Sequence, residues 1–542
     1  MGRAARAGVA GAHDDPVVTA EGSGVRTDAQ PAVPAADDDC DVLVVGSGGG
    51  ALTGAYTAAR EGLSVIVAEA TGRFGGTTAY SGGGMWFPCN AVLARSGDGD
   101  TLADAKTYYH SVVGDRTPRE LQDAYLENGA PLVDYLEADE DLAFMVYPWP
   151  DYFGAAPKAS ATGRHIIPVP LKPEQLGALR EVLRPPLATE RAGHPLPDLI
   201  AGGQALIGRL LLALSKRDNV ELRRDTVCDE LVCEGGTVTG AAVSSGGVRR
   251  RIRARRGVLV ASGGFEGDQE MRERHGVPGV ARDTMGPEGN QGKAIRAGIE
   301  VGADTDLMSQ AWWSPGITHP DGSSTFSLWF TGGIFVDDAG ERFVNESWPY
   351  DRLGRAVIDR IADGSLTLPF WMIYDDRAGE RPPAVATSVP VGQTSDYVDA
   401  GLWHSAGSLA ELAARIGVPA GNLVRTVERF NGFAAAGEDG DFRRGDEPYD
   451  RAFSGGDSPL VPIERGPFHA AAFGISDLGT KGGLRTDARA RVLDTGGRVI
   501  GGLYAAGNSM AAVSGTVYPG GGNPIGSCMV FSHLAALDMA SR

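Results

Sequence analysis

The stretch Asp41–Ala70, "DVLVVGSGGGALTGAYTAAREGLSVIVAEA", decides the fold. An apolar run leads into a glycine cluster, then a helix-like segment, then a second apolar run. Apolar runs without polar alternation mark strands of a parallel sheet that is covered on both faces. Gly46 and Gly48 occupy the first two glycines of G-x-G-x-x-G/A, with Ala51 third. Gly46 permits the tight turn, Gly48 lets backbone approach a pyrophosphate, and Ala51 brings helix and strand close. Ser47, Gly49 and Gly50 complete the turn, and the helix N-terminus faces the phosphates. Glu69, followed by Ala70, ends the second strand, where a carboxylate accepts from a ribose and repels a 2′-phosphate. The alternative for these residues is an ordinary strand–turn–helix unit.

The next stretch separates the dinucleotides. "GRFGGTTAYSGGGMW" (Gly72–Trp86) sets Gly75, Gly76, Gly82 and Gly83 among Thr77, Thr78 and Ser81. NAD dehydrogenases do not continue this way. Flavoproteins with an extended FAD do, because a second phosphate and a ribityl chain need more hydroxyl and N–H donors. FAD is the expected cofactor.

Composition narrows the class. A net charge of −19 argues against nucleic acid or an anionic membrane as partner. The basic stretch "RRRIRARR" (Arg249–Arg256) alternates with apolar residues and reads as a solvated strand face. No apolar run is long enough to span a bilayer, and the N-terminus lacks the hydrophobic segment of a signal peptide. The five cysteines match neither a disulfide framework nor a zinc site, so a cytoplasmic protein without metal is expected. At 542 residues, more than one simple core is expected. Residues 1–38 lack periodicity and read as a disordered tail. Residues 39–310 and 476–542 share one glycine-punctuated strand style, whereas 311–475 are rich in aromatics. That pattern suggests a cofactor domain interrupted by a substrate domain.

Further along, "GGQAL" (Gly202–Leu206), "DTVCDEL" (Asp225–Leu231), "ASGGF" (Ala261–Phe265) and "GLYAAGN" (Gly502–Asn508) occur in order. Together with the glycine clusters they resemble the fumarate reductase/3-ketosteroid dehydrogenase family of FAD flavoproteins. The likeness is close over about 38–310 and 475–542 and looser between. It implies an α/β fold: a Rossmann-like FAD-binding domain interrupted by an α+β substrate domain. It also implies that Ala261, Ser262 and Gly263 form the strand-end turn near the dinucleotide. Gly507 and Asn508 would lie beside the flavin, and the Val227 backbone would meet the adenine. Asn523, Pro524 and Ile525, at the start of the last helix, complete the implied cofactor set.

"SGTVYPGGGNPIGSCM" (Ser514–Met529) points to a branch of that family. Fumarate reductase-like members usually carry an arginine here that grips a substrate carboxylate; this chain has Tyr518. A buried carboxylate without a partner is costly, so a dicarboxylate substrate is disfavoured. The loop resembles that of 3-ketosteroid Δ1-dehydrogenases, which implies that the Tyr518 hydroxyl and the Gly522 N–H hold a 3-keto oxygen. "GERFVNESWPYDRLG" (Gly340–Gly354) resembles the segment that places the general base, here Tyr350. "PWPDYFGAAP" (Pro148–Pro157) resembles the loop with a supporting tyrosine, here Tyr152. For each tyrosine the alternative is a ring that simply packs. Two departures stand out: Asn523–Met529 replaces the usual Ala-Thr-Ile-Gly-Pro-Ala-Met, and Tyr80 stands where many steroid members carry arginine. Trp312, Trp313, Phe326, Trp329 and Phe330 read equally as a slot for a flat polycycle or as core.

The resemblance implies an FAD-dependent dehydrogenase of 3-ketosteroids that hands electrons to an unidentified acceptor; oligomeric state stays open. The rivals are a reductase of a non-steroid enone or carboxylate, and a flavin-binding protein without catalysis.

Overall fold

In the computed structural model of the chain, the opening apolar run forms the strand Asp38–Val45. The structure describes residues 37–542 except Asp98 and Asp457, so the expected tail falls almost wholly outside the described residues. Asp38–Val45 lies inside an eight-stranded sheet. Val65–Ala68 pairs with it in parallel on one side, Val42 opposite Val65. Val248–Val260 pairs on the other side, with Val44 opposite Leu259. Val220–Arg223 extends one flank and Val499–Ala505 the other, both in parallel. The C-terminal return thus joins the sheet begun by the first strand. Val42, Leu43 and Val44 are fully buried, which is why their run shows no alternation.

The first half of Val248–Val260 behaves differently. It pairs antiparallel with Thr237–Ser245, its Arg249, Arg250, Arg253 and Arg255 are exposed, and Ile252 and Ala254 are buried. Arg249 pairs with Glu230, and Arg255 with Asp39 and Asp41. The basic stretch is a solvated strand face.

The helix Gly49–Arg60 is buried along its length up to Arg60. Small residues make this possible. A Cβ on Gly50 would lie 1.9 Å from Cys528 Sγ, and one on Gly54 2.6 Å from Leu259 Cδ2. The helix backbone is therefore wedged between the sheet and the C-terminal helix Asn523–Ala540. The helix Gly202–Ser215 approaches as closely: a Cβ on Gly203 would lie 1.7 Å from the Thr78 carbonyl oxygen. The "GGQAL" glycines thus let this helix sit on the hydroxyl-bearing loop.

Residues 311–480 supply an antiparallel seven-stranded sheet. Phe468–Thr480 pairs with Ala311–Thr318 and with Phe370–Asp375, and Ala311–Thr318 pairs with Ser324–Phe330. The helix Tyr350–Ala362 lies on it, where a Cβ on Gly354 would be 2.8 Å from Trp313 Cβ. Met85–Trp86, His165–Pro168 and Phe144–Val146 form a small antiparallel sheet next to the aromatic segment at 147–152. Among the described residues no helix is long and apolar enough to cross a membrane.

The Gly50–Cys528 contact leaves no room for a methyl group. Gly50→Ala is expected to cost about 1–3 kcal/mol through overpacking. Thermal unfolding should show a lower midpoint, and adding Cys528→Ala should recover part of it. An unchanged midpoint in Gly50→Ala would refute this account of the wedge.

Candidate active site

A continuous cavity of about 540 Å³ runs from the Glu69 end of the sheet to Tyr152, Tyr350 and Tyr518. At the Glu69 end, Gly46 has φ +105°, and a Cβ there would sit 2.4 Å from the Ala261 carbonyl oxygen. The turn therefore packs directly on the strand end that carries Ser262 and Gly263. Gly48 caps the first helix with no side-chain bond, and the first turn carries no acid. The positive end of a helix dipole with no acid beside it suits an anion. A Cβ on Gly76 would lie 3.6 Å from Gly48 Cα, so two bare backbone segments meet at this point. The Gly49 N–H donates to Thr78 Oγ1 at 3.1 Å. These features fit a pyrophosphate.

Glu69 is buried. Its Oε2 accepts from Ser47 Oγ at 2.5 Å, and Oε1 accepts from the Thr71 N–H at 2.9 Å and Thr71 Oγ1 at 2.7 Å. A carboxylate has about four acceptor positions, so these bonds orient it and leave capacity for a ribose hydroxyl. Arg184 also lines this end and is almost fully buried. It donates to Thr71 Oγ1 at 2.7 Å, to Glu190 at 2.8 Å and to the Tyr80 hydroxyl at 3.3 Å, while its Nε has no protein partner. Tyr80, the departure from the family's arginine, thus has a guanidinium beside it from another segment. Neither Thr71 nor Arg184 carries a motif that marks it in the sequence.

The other expected cofactor residues divide clearly. Gly46, Ser47, Gly48, Gly49, Glu69 and Ala70 line the cavity, as do Gly76, Thr77, Thr78, Ser81, Gly82 and Gly83. So do Val227, Ala261, Ser262, Gly263, Gly507, Asn508, Pro524 and Ile525. Gly50, Ala51, Gly75 and Asn523 are absent from its lining. Gly50 faces Cys528, Ala51 is buried within its helix, and the Gly75 N–H donates to Ser47 Oγ at 3.0 Å. Asn523 is buried with Oδ1 accepting from the Tyr109 hydroxyl at 3.2 Å.

At the other end three tyrosines from distant segments converge. Ring centroids are 5.0 Å apart for Tyr152–Tyr518 and 5.7 Å for both Tyr152–Tyr350 and Tyr350–Tyr518. All three are buried and line the cavity. The Gly522 N–H donates to the Tyr518 hydroxyl at 3.3 Å, which places the two groups side by side at this end of the cavity. Gly522 has φ +89°, and a Cβ there would lie 2.4 Å from the Gly84 carbonyl carbon; no other residue fits. It caps the C-terminal helix without a side-chain bond. The Pro519 carbonyl accepts from the Tyr152 N–H at 3.0 Å and from the Tyr108 hydroxyl, which fastens the Tyr518 loop to the Tyr152 loop. Trp149 Nε1 donates to the Tyr152 hydroxyl at 3.3 Å. Tyr449, unmarked in the sequence, backs Tyr152 at 5.2 Å.

The aromatics of the insertion split by strand face. Trp312 and Phe326 line the cavity with Leu328, whereas Trp313 and Phe330 are buried in the core. Trp329 also lines the cavity; its backbone has φ +59°, which interrupts the alternation there. Trp312 donates through Nε1 to Asn508 Oδ1 at 3.1 Å and packs on Tyr518 at 5.0 Å. It therefore joins Asn508 to the phenol cluster.

Burial raises every phenol here. Tyr518 is pushed up to about 12, with Tyr350 and the Gly522 N–H pulling the other way. Tyr350 lies well above its ordinary value through burial, then through the neighbouring phenols. One feature opposes this at Tyr350: it is the first residue of its helix, where the positive end of the dipole favours tyrosinate. His165, which lines the same region, is pushed down to about 4 by burial and is neutral at physiological pH.

A dinucleotide turn that opens on a cavity ending in enclosed phenols defines a flavoprotein oxidoreductase. Comparison with known proteins agrees. A family model described as an FAD binding domain matches residues 41–525. A 3-oxosteroid 1-dehydrogenase of Rhodococcus opacus is 38% identical over 93% of this chain and 99% of its own length. A 4-oxocyclohexanecarboxylate 2-dehydrogenase of Sinomonas cyclohexanicum is 35% identical over 93% of both chains. The crystal structure of 3-ketosteroid Δ1-dehydrogenase from Sterolibacterium denitrificans, in complex with 1,4-androstadiene-3,17-dione, superposes with a TM-score of 0.85. It shares 32% identity and covers 93% of this chain and 100% of its own. The chain belongs to the 3-ketosteroid dehydrogenase family of FAD flavoproteins. It is an enzyme, and its cofactor is FAD.

Removing the Glu69 carboxylate deletes an acceptor at the glycine-turn end of the cavity and strands Ser47 and Thr71. Glu69→Ala is expected to weaken FAD binding about tenfold or more, near 1.4 kcal/mol. Flavin content after purification and reconstitution titrations measure it directly. Full retention at unchanged affinity would remove Glu69 from the cofactor site.

Proposed function

We propose that this enzyme introduces the carbon 1–carbon 2 double bond into ring A of a 3-ketosteroid. In this reading, residues 39–310 and 476–542 hold the cofactor and 311–475 form much of the substrate side. The carrying observation is the convergence of Tyr350 and Tyr152 on the Tyr518–Gly522 donor pair within an apolar, aromatic cavity.

The Tyr518 hydroxyl and the Gly522 N–H donate to the 3-keto oxygen. Two donors held before the reaction stabilise the enolate charge as it grows, and the start of the Asn523–Ala540 helix adds its positive end. The hydrogens on carbon 2 become more acidic, and the Tyr350 oxygen takes one as a proton. Tyr152 holds Tyr350 from the side and receives its own bond from Trp149 Nε1. FAD held along Gly46, Gly48, Glu69 and Thr78 would supply the hydride acceptor for carbon 1 and a route for the electrons to an acceptor. Trp312, Phe326 and Leu328 exclude water and press against a flat apolar ring system.

A cyclic keto acid, the substrate type named for the Sinomonas relative, presents the same ketone chemistry plus a carboxylate. The cavity favours the steroid. Its lining cations are Arg184, engaged with Glu190 beside Tyr80, and Lys293, at the start of the helix that follows Asn290. Around the tyrosines the walls are aromatic and aliphatic, and His165 is neutral. A carboxylate buried there would lack a partner. Anaerobic titration decides: a saturated or Δ4 3-ketosteroid should bleach the flavin, and 4-oxocyclohexanecarboxylate should bleach it far more weakly. The reverse order would overturn the steroid reading.

Tyr350→Phe removes the base and keeps the ring. FAD content and steroid affinity should stay near wild type. The single-turnover rate of flavin bleaching at saturating steroid should fall about a hundredfold to ten-thousandfold. A rate within a few-fold of wild type would move the base elsewhere, first to Tyr152.

The pH dependence follows from the same phenols. A phenol acts as base only as tyrosinate, and that fraction grows as pH rises toward the pKa. Burial holds Tyr350 well above the ordinary value of about 10, so between pH 7 and 9 the fraction grows about tenfold per unit. Tyr518, raised to about 12, stays protonated and keeps donating across that window. The logarithm of the bleaching rate should therefore climb with pH in wild type and lose that slope in Tyr350→Phe. A flat wild-type profile would contradict the assignment.

A further inference from the structure

Three polar ties close the triangle of tyrosines. The Tyr152 N–H to the Pro519 carbonyl joins the Tyr152 and Tyr518 loops. Arg352 Nη1, on the base helix, donates to the Tyr152 carbonyl at 2.8 Å and joins Tyr350 to Tyr152. The third side, from the Tyr518 loop to the Tyr350 helix, runs through Lys481.

Lys481 has no exposed surface. Its Nζ donates to the carbonyls of Thr516 at 3.0 Å and Val517 at 3.1 Å, the two residues before Tyr518. It pairs with Asp351 Oδ1 at 3.4 Å, the residue after Tyr350. The same nitrogen lies 4.1 Å from the centre of the Trp312 ring, which packs on Tyr518 and donates to Asn508. Asp351 is itself held by the Trp313 N–H at 3.2 Å and by Arg355 at 3.0 Å, so the anchor is rigid. Burying a lysine is costly, and burial here pushes its pKa well below the usual value while Asp351 pulls it back. A merely apolar core would be filled more cheaply by methionine or leucine at this point.

We propose that Lys481 is a positioning residue that sets the Tyr518 hydroxyl relative to the Tyr350 base. It touches neither ring A nor the flavin position. It acts by fixing the backbone on both sides of the gap and the Trp312 ring against Tyr518. Oxyanion donors work only when held at the place where charge develops, so a small shift of the Tyr518 loop forfeits much of its effect. This inference rests on the reading of Tyr518 as the ketone donor.

The test is a double-mutant cycle on the holoenzyme with Lys481→Met and Tyr518→Phe. Steroid affinity and the single-turnover rate of flavin bleaching are measured in all four proteins. Tyr518→Phe alone should slow bleaching by about a hundredfold or more and weaken binding. Lys481→Met alone should slow it by about tenfold or more, with the loss divided between affinity and rate as in Tyr518→Phe. In the Tyr518→Phe background, Lys481→Met should change the rate less than about threefold, because the group it positions is gone. Equal losses in both backgrounds, or no loss in the first, would overturn the role of Lys481. No effect of Tyr518→Phe itself would instead overturn the ketone-donor reading. If Lys481→Met does not accumulate as holoenzyme, Lys481→Gln enters the same cycle. It keeps N–H groups for the two carbonyls but has no charge for Asp351 or Trp312, and the same additivity criterion decides.

Discussion

The architecture depends on one close contact, the wedge of the Gly49–Arg60 helix between the sheet and the C-terminal helix. Gly50 meets Cys528 and Gly54 meets Leu259 at distances no side chain would allow. The C-terminal helix begins at Asn523, immediately after Gly522, so the crossing that seats the glycine turn also seats the Tyr518 end of the cavity. Gly522 presses on the Gly84 carbonyl carbon and Gly46 on the Ala261 carbonyl oxygen. The glycines at the Glu69 end of the cavity and those at its Tyr518 end thus belong to one packed unit. A shift at the helix crossing would be transmitted to both, because close-packed interiors carry strain rather than absorb it.

On that frame the chemistry balances two opposed effects. Enclosing three phenols in an apolar pocket raises their pKa values, which in the proposed mechanism keeps Tyr518 a hydrogen-bond donor but makes Tyr350 a reluctant base. The backbone offsets part of this. Tyr350 opens its helix and Gly522 caps another, so positive helix ends lie at Tyr350 and beside Tyr518, which in the proposed mechanism are the base and the ketone donor. In that mechanism the same burial that hinders the base would also exclude water from the enolate and strengthen each donor that reaches it. Ties through Pro519, Arg352 and Lys481 keep loops from distant parts of the chain in one geometry.

What the sequence by itself determined is local. Continuous apolar runs around Gly46, Gly48 and Ala51 identify a buried parallel strand, a turn and a helix, because burial on both faces and a tight turn leave a mark within thirty or so residues. The position of Glu69 just beyond the second strand was legible for the same reason, since the end of that strand is a defined place. That Tyr152, Tyr350 and Tyr518 meet at one cavity was suggested only by a resembling pattern; no periodicity distinguishes them from packed rings. The equal standing of Trp312 and Trp313 in the sequence reflects a strand whose two faces are both buried, and only the sheet shows which ring meets the cavity. Gly50, Ala51, Gly75 and Asn523 belong to the motifs, yet they serve the packing behind the cavity wall. Arg184, Thr71, Tyr449 and Lys481 have no signature at all. Each works through a partner far away in the chain, and a single polar or aromatic side chain acquires meaning only when folding brings that partner within hydrogen-bonding or ring-contact distance.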